Sequence, residues 1–367
     1  VRPEFRRLQG QEHARRYLRS LLQQEELPPA LMFVGPYGVG KATAAYEWVQ
    51  MLFCTGDTPP CGSCRACRQI QTLNHPDVHL LMPPAERERV RPERGLRPFP
   101  PGKGNLQIGI DAVRQVREEL QRPPVQGDRR VVLVLDADQL TPEAQNALLK
   151  SLEEPPEGTV FLLITSQEQR VLPTLHSRSR KIRFHYLDYA AFVRALQPEP
   201  AHPTLLYGLS RGSPGLARAL VESGALHHRP AFLKFLVGEW EALARVLDDH
   251  LGGWTAFDLR LHVLVWGTLL RDLLLIRQES TPHPLLVHQD LEASLLELVP
   301  RVDPMRLFRG LQALRVLDVA LDRRLGMLEA LSLFLSRVFP HHFKATFLEI
   351  HRDSAPFDVN EWFAQTP

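Results

Sequence analysis

The sequence predicts an α/β fold. A glycine-loop domain with a parallel sheet and an inserted cysteine knuckle leads into a small helical unit and then an all-α domain. Three observations carry that prediction. Short apolar runs of strand length alternate with helix-period segments through the first half. One of those runs enters a glycine-rich loop that opens a helix, and β-type patterning stops after Tyr186. Strands alternating with helices need a parallel sheet covered on both faces, because each crossover helix must bury an apolar stripe.

Leu31–Val34 reads as the first strand and runs through a glycine turn into a helix over Ala42–Phe53. Val131–Leu135 precedes a helical pattern over Pro142–Leu152, and a third strand, Val160–Ile164, ends at Thr165 and Ser166. Pro83–Gly104 breaks the alternation; rich in Pro, Arg, Glu and Gly, it reads as an exposed insertion. Beyond Tyr186, a small helical unit turns at Gly212–Gly215. Leu259–Ile276, Asp290–Leu298 and Met305–Leu321 then carry apolar residues at three- and four-residue spacing. Trp240, Trp254 and Trp266 are assigned to the core of that helical half. The expected domains are residues 1–186, 187–226 and 227–367.

A chain of 367 residues supports two or three such domains. Its 44% hydrophobic and 23% charged residues are those of a globular protein, and a formal charge of +2 provides no global attraction to nucleic acid. Leu261–Ile276 is interrupted by His262, Arg271 and Asp272, so no membrane span is expected, and Val1–Gly10 does not resemble a signal peptide. A cytoplasmic location is the expectation.

Gly35-Pro-Tyr-Gly-Val-Gly-Lys41 has the spacing and context of a Walker A loop. The amides of such a loop surround a phosphate chain at a helix N-terminus, with Gly35, Gly38 and Gly40 shaping it and Lys41 reaching the outer oxygens. The next residue should carry a hydroxyl for Mg²⁺. It is Ala42, and Thr43 lies about 100° further round the helix. The acidic pair expected after the next strand is also broken. Either Asp136 is the metal-side acid and Ala137 replaces the water-orienting Glu, or Leu135 replaces the Asp and Asp136 the Glu. Both readings remove one acid from the same Mg²⁺-dependent step. ATP or ADP binding stays open, Mg²⁺ is not expected, and neither is intrinsic hydrolysis.

All four cysteines fall at Cys54, Cys61, Cys64 and Cys67. Four thiolates over so short a stretch close a tetrahedral Zn²⁺ site with no position left for water, so the metal would be structural; an Fe–S cluster is the alternative. Gly62 permits the tight turn between ligands, and His75 reads as part of a turn with Pro76.

Several motifs resemble the bacterial DNA polymerase III clamp-loader subunits of the AAA+ class. Asn146–Pro156, with Leu-Leu-Lys-Ser-Leu-Glu-Glu-Pro-Pro, is similar to their signature. Phe161–Ser166 resembles the strand that ends in the sensor 1 residue, here Thr165. Ser177-Arg178-Ser179 resembles their Ser-Arg-Cys motif, and Gly10-Gln11 the segment that folds over an adenine base. Leu269–Leu274 is a weaker likeness to the collar domain. Two branches share this pattern, the ATP-hydrolysing gamma/tau motors and delta-prime. Ala42, the broken acidic pair and Gly215 in place of a lid arginine match the delta-prime branch, as do Asn74–Asp77 and Ile108–Asp111.

The resemblance implies an AAA+ domain, a helical lid and a collar, in a hetero-pentameric ring with gamma/tau and delta that loads a sliding clamp on primed DNA. It implies that Arg178 acts in trans on a neighbour's ATP, and that the cysteines bind zinc. A gamma/tau-type active ATPase is the alternative. A direct DNA-binding module is a third, weakened by the near-neutral charge and the lack of interleaved aromatic and basic residues.

Overall fold

The computed structural model describes residues 3–83, 107–239, 241–250, 252–278, 285–322 and 327–338. Most of the Pro-rich insertion, residues 84–104, lies outside these, as does Trp240. The chain divides into two compact units. One comprises Val1–Pro203 with Ser210–Ala219, the other Thr204–Leu209 with Leu220–Pro367.

The first unit is built on five parallel strands: β1 (Ala30–Val34), β2 (Val78–Leu81), β3 (Arg130–Val134), β4 (Thr159–Thr165) and β5 (Arg180–Arg183), in the order β2-β3-β4-β1-β5. The three central strands are buried along their whole length, which is why they read as continuous apolar runs. On one face, Leu31 and Phe33 pack with helix α1 (Glu12–Leu21) and helix α2 (Lys41–Phe53). On the other, Met32 and Val34 pack with α4 (Ile110–Leu120) and α5 (Pro142–Glu153). The short α3 (Arg65–Gln71) follows α2, and α6 (Pro173–Ser177) leads into β5. Helix α5 begins where Thr141 Oγ1 accepts from the Ala144 amide, with Pro142 in its first turn.

β2 and β5 went unread in the sequence. Both are four-residue edge strands, and β5 (Arg-Lys-Ile-Arg) buries only Ile182. A charged edge strand carries almost no apolar alternation, although it guards the sheet against unwanted pairing.

Two further helices, α7 (Tyr189–Ala195) and α8 (Pro203–Ser210), precede the Gly212–Gly215 turn and α9 (Pro214–Glu222). The second unit then contains α10 (Arg229–Leu236), α11 (Glu241–His250), α12 (Ala256–Gln278), α13 (Glu292–Leu298), α14 (Pro304–Asp322) and α15 (Met327–Val338). Trp266 is fully buried, stacked on Phe232 at 5.0 Å and Phe334 at 5.8 Å; Trp254 is buried too. The buried Asp272 carboxylate accepts the amides of Val287 and His288, and Arg229 forks onto Asp290 at 2.7 and 3.0 Å. Those bonds tie the loop before α13 to the helices. No described helix is long and apolar enough to cross a membrane.

Candidate functional site

The Gly35–Lys41 loop joins β1 to α2 as the motif requires. Lys41 is 5% exposed, and its ammonium lies 2.6 Å from Gly35 O, 2.5 Å from Pro36 O and 3.1 Å from Ser166 Oγ. An ammonium has three protons, so these acceptors satisfy it. Burial lowers its pKa to about 8, against the pull of Asp136 and Asp138, which favour the charged form. Ala42 follows it, its methyl packed against the apolar cluster on that face.

Asp138 was not among the expected site residues. It accepts from the buried Thr165 hydroxyl at 2.6 Å and from the Ser166 amide at 3.1 Å. Lys41, Asp136, Asp138, Thr165 and Ser166 thus gather at the carboxyl ends of β1, β3 and β4. The signal for Asp138 was present: Asp136 and Asp138 flank a single alanine at a strand end.

The loop is also covered by its own chain. Ser213 Oγ donates to Tyr37 O at 2.7 Å, and the Gly215 amide donates to Gly38 O at 2.9 Å. A Cβ on Gly215 would stand 2.6 Å from Gly38 Cα, and one on Gly38 would stand 2.8 Å from Gly215 Cα. Gly38 also has φ +74, so both chemistry and packing require glycine there. The turn that begins α9 therefore rests directly on the phosphate loop. At the other side, the Gln11 side chain donates to Val39 O and His185 O and accepts the His185 amide. Glu47, buried in α2, accepts the amides of Arg6, Arg7 and Leu8 at 3.0, 2.7 and 3.0 Å. The segment before α1 is held down by these bonds.

The four cysteines converge where α2 ends and α3 begins. Their Sγ atoms all lie within 4.8 Å of one another, a spread that suits a tetrahedral metal with Zn–S bonds of about 2.3 Å. Backbone amides already point at the sulfurs: Cys61 N–H at Cys54, Cys64 N–H at Cys61 and Cys67 N–H at Cys64, all at 3.3–3.4 Å. The Cys64 and Ser63 amides and the Ser63 hydroxyl lower the Cys61 pKa to about 6, while burial pushes Cys67 up. The donor set fits structural zinc, and Gln50 Nε2 reaches Cys67 O to join the knuckle to α2.

Arg178 lies elsewhere. Parallel pairing sets Arg180 beside Leu31, so Arg178 belongs to the amino end of β1, whereas the phosphate loop leaves its carboxyl end. Five residues of strand separate the two ends, roughly 16 Å at about 3.3 Å each. The Arg178 side chain is 38% exposed and 2.8 Å from Glu153 Oε1, and Arg178 lines a groove of about 490 Å³ together with Leu27, Pro28 and Pro29.

A glycine phosphate loop on a five-stranded parallel sheet, with an inserted four-cysteine knuckle, defines an AAA+ module. The family described as DNA polymerase III, delta subunit, matches residues 10–188. The delta-prime subunit of DNA polymerase III from Escherichia coli is 32% identical over 84% of this chain and 84% of its own. The Pseudomonas aeruginosa delta-prime subunit is 35% identical over 54% of this chain and 58% of its own, and the Bacillus subtilis tau subunit is 29% identical over 52% and 31%. The chain belongs to the delta-prime family of DNA polymerase III clamp-loader subunits.

Proposed function

We propose that this chain is a non-hydrolysing stator of the clamp loader that supplies Arg178 as an arginine finger to the ATP of a neighbouring motor subunit. The observation that carries this reading is the position of Arg178, at the opposite end of the sheet from its own phosphate loop. A phosphate that meets it belongs to another chain. A guanidinium there would spread positive charge over the equatorial oxygens as phosphoryl transfer proceeds.

The phosphate loop supports the same reading. Ala42 cannot ligate Mg²⁺, and the Lys41 protons are taken by acceptors of the same chain. Residues 1–186 would form the AAA+ domain, 187–226 the lid and 227–367 the collar of a hetero-pentameric ring with gamma/tau and delta. That ring would act on the sliding clamp and primed DNA. Zinc would hold the cysteine knuckle, adding its binding energy to the stability of the first unit; elemental analysis should find one zinc per chain, and iron would overturn that assignment.

The test is ATP turnover with Mg²⁺, by the purified chain alone and then mixed with intact motor subunits. No turnover alone, with stimulation of the mixture that depends on Arg178, is expected. Clear turnover alone, abolished by Lys41→Ala, would mean the chain is itself a gamma/tau-type motor.

A further inference from the structure

Four cations lie in or just before β5, and each has a partner within the chain. Arg180 donates to the Tyr17 hydroxyl at 3.1 Å, while Lys181 and Arg183 both pair with Glu168, at 2.7 and 3.5 Å. Arg178 pairs with Glu153 at 2.8 Å. The serines on either side of it turn back into α6: Ser177 Oγ donates to Thr174 O, and Ser179 Oγ donates to Leu175 O at 2.7 Å. The backbone of Arg178 is thereby pinned on both sides while its side chain points outward.

Glu153 is the last residue of α5, and α5 is fastened to the segment that enters α6. The buried Gln145 accepts the Leu172 amide at 2.7 Å and donates to Leu140 O and Arg170 O at 3.2 and 3.1 Å. The backbones that carry Glu153 and Arg178 are therefore joined through Gln145. The closest approach of the ion pair is 2.8 Å, from NH2 to Glu153 Oε1, and a guanidinium has five N–H donors. One edge can rest on Glu153 while the others stay available to a phosphate.

We infer that Glu153 is the positioning residue for Arg178, holding the guanidinium beside the groove so that it meets the neighbour's phosphate already oriented. This rests on the finger reading above. An arginine side chain carries large rotamer freedom, and ordering it before the encounter lowers the cost of ordering it during the reaction. The pair is half exposed, so its effect should be modest: about two- to fivefold in rate.

The experiment uses the assembled complex and compares four forms of this chain: wild type, Glu153→Ala, Arg178→Ala and the double variant, with Glu153→Gln as the conservative replacement. Glu153→Ala should lower kcat for ATP by about two- to fivefold with KM unchanged. It should have no further effect when Arg178 is already alanine. Glu153→Gln, which keeps an acceptor oxygen, should recover part of the loss. If Arg178→Ala lowers turnover while Glu153→Ala leaves it unchanged, raises it, or lowers it equally in the Arg178→Ala background, the positioning role is wrong and the finger stands. If Arg178→Ala itself has no effect, the finger reading fails and this inference with it.

Discussion

The phosphate loop and the Arg178 corner lie at opposite ends of β1, and they treat positive charge in opposite ways. At the loop, Lys41 is buried and satisfied by three acceptors of its own chain, with Ser213 and Gly215 resting on the loop's carbonyls. At the other end, Arg178 is half exposed and lies 2.8 Å from an exposed carboxylate. The first arrangement adds to the rigidity of the fold. The second contributes little to stability, because exposed ion pairs are worth about 0–1 kcal/mol, and leaves the cation free to engage something else.

The contrast is sharpest under substitution. Under the proposed finger role, Arg178→Ala should slow hydrolysis at the neighbouring ATP site by about 10³-fold or more, with no change in the melting temperature of the chain. A loss of folding stability in place of activity would make the corner structural. Gly215→Val should do the reverse. Its side chain would collide with Gly38 Cα, costing about 2–4 kcal/mol in denaturant titrations, while any complex that assembles should retain its turnover.

Lys41→Met is the next test, and its signature is pH dependence. The folded chain releases the Lys41 proton near pH 8, whereas an ordinary lysine holds it to about 10.5. Between those values the unfolded state binds more protons, so stability should rise with pH across that window, and Lys41→Met should flatten the rise. Turnover of the complex should be untouched; a large drop would show that the loop binds nucleotide productively. The smallest effect belongs to Ser213→Ala, which removes the bond to Tyr37 O and should cost about 1 kcal/mol in thermal unfolding without altering hydrolysis.

The parts of this comparison were unequally visible in the sequence. The buried strands and the glycine loop could be read because a strand covered on both faces is apolar at every position. The cysteine knuckle could be read because metal ligands must crowd along a short stretch. Asp138 and Ser213 were missed as members of the loop site. Asp138 carried a local signal, its place one residue beyond Asp136 and Ala137 at a strand end, but its contact with Thr165, 27 residues away, like that of Ser213 with Tyr37, 176 residues away, is encoded by no local pattern. Glu153 was in plain view within its motif, yet its pairing with Arg178 depends on how α5 and α6 meet. β5 was hidden because charge at three of its four positions erased the alternation by which half-buried strands are recognised.

The contact between Gly38 and Gly215 has a consequence for reading such chains as texts. Two backbones that pass within a methyl's width of each other demand glycine at both places, whether or not a nucleotide ever sits nearby. A chain that had lost every use for ATP would still have to keep Gly38, because a side chain there would force the turn and the loop apart. In this protein Gly38 testifies to a close fit between two stretches of backbone, and the alanine after the lysine says more about chemistry than that glycine does.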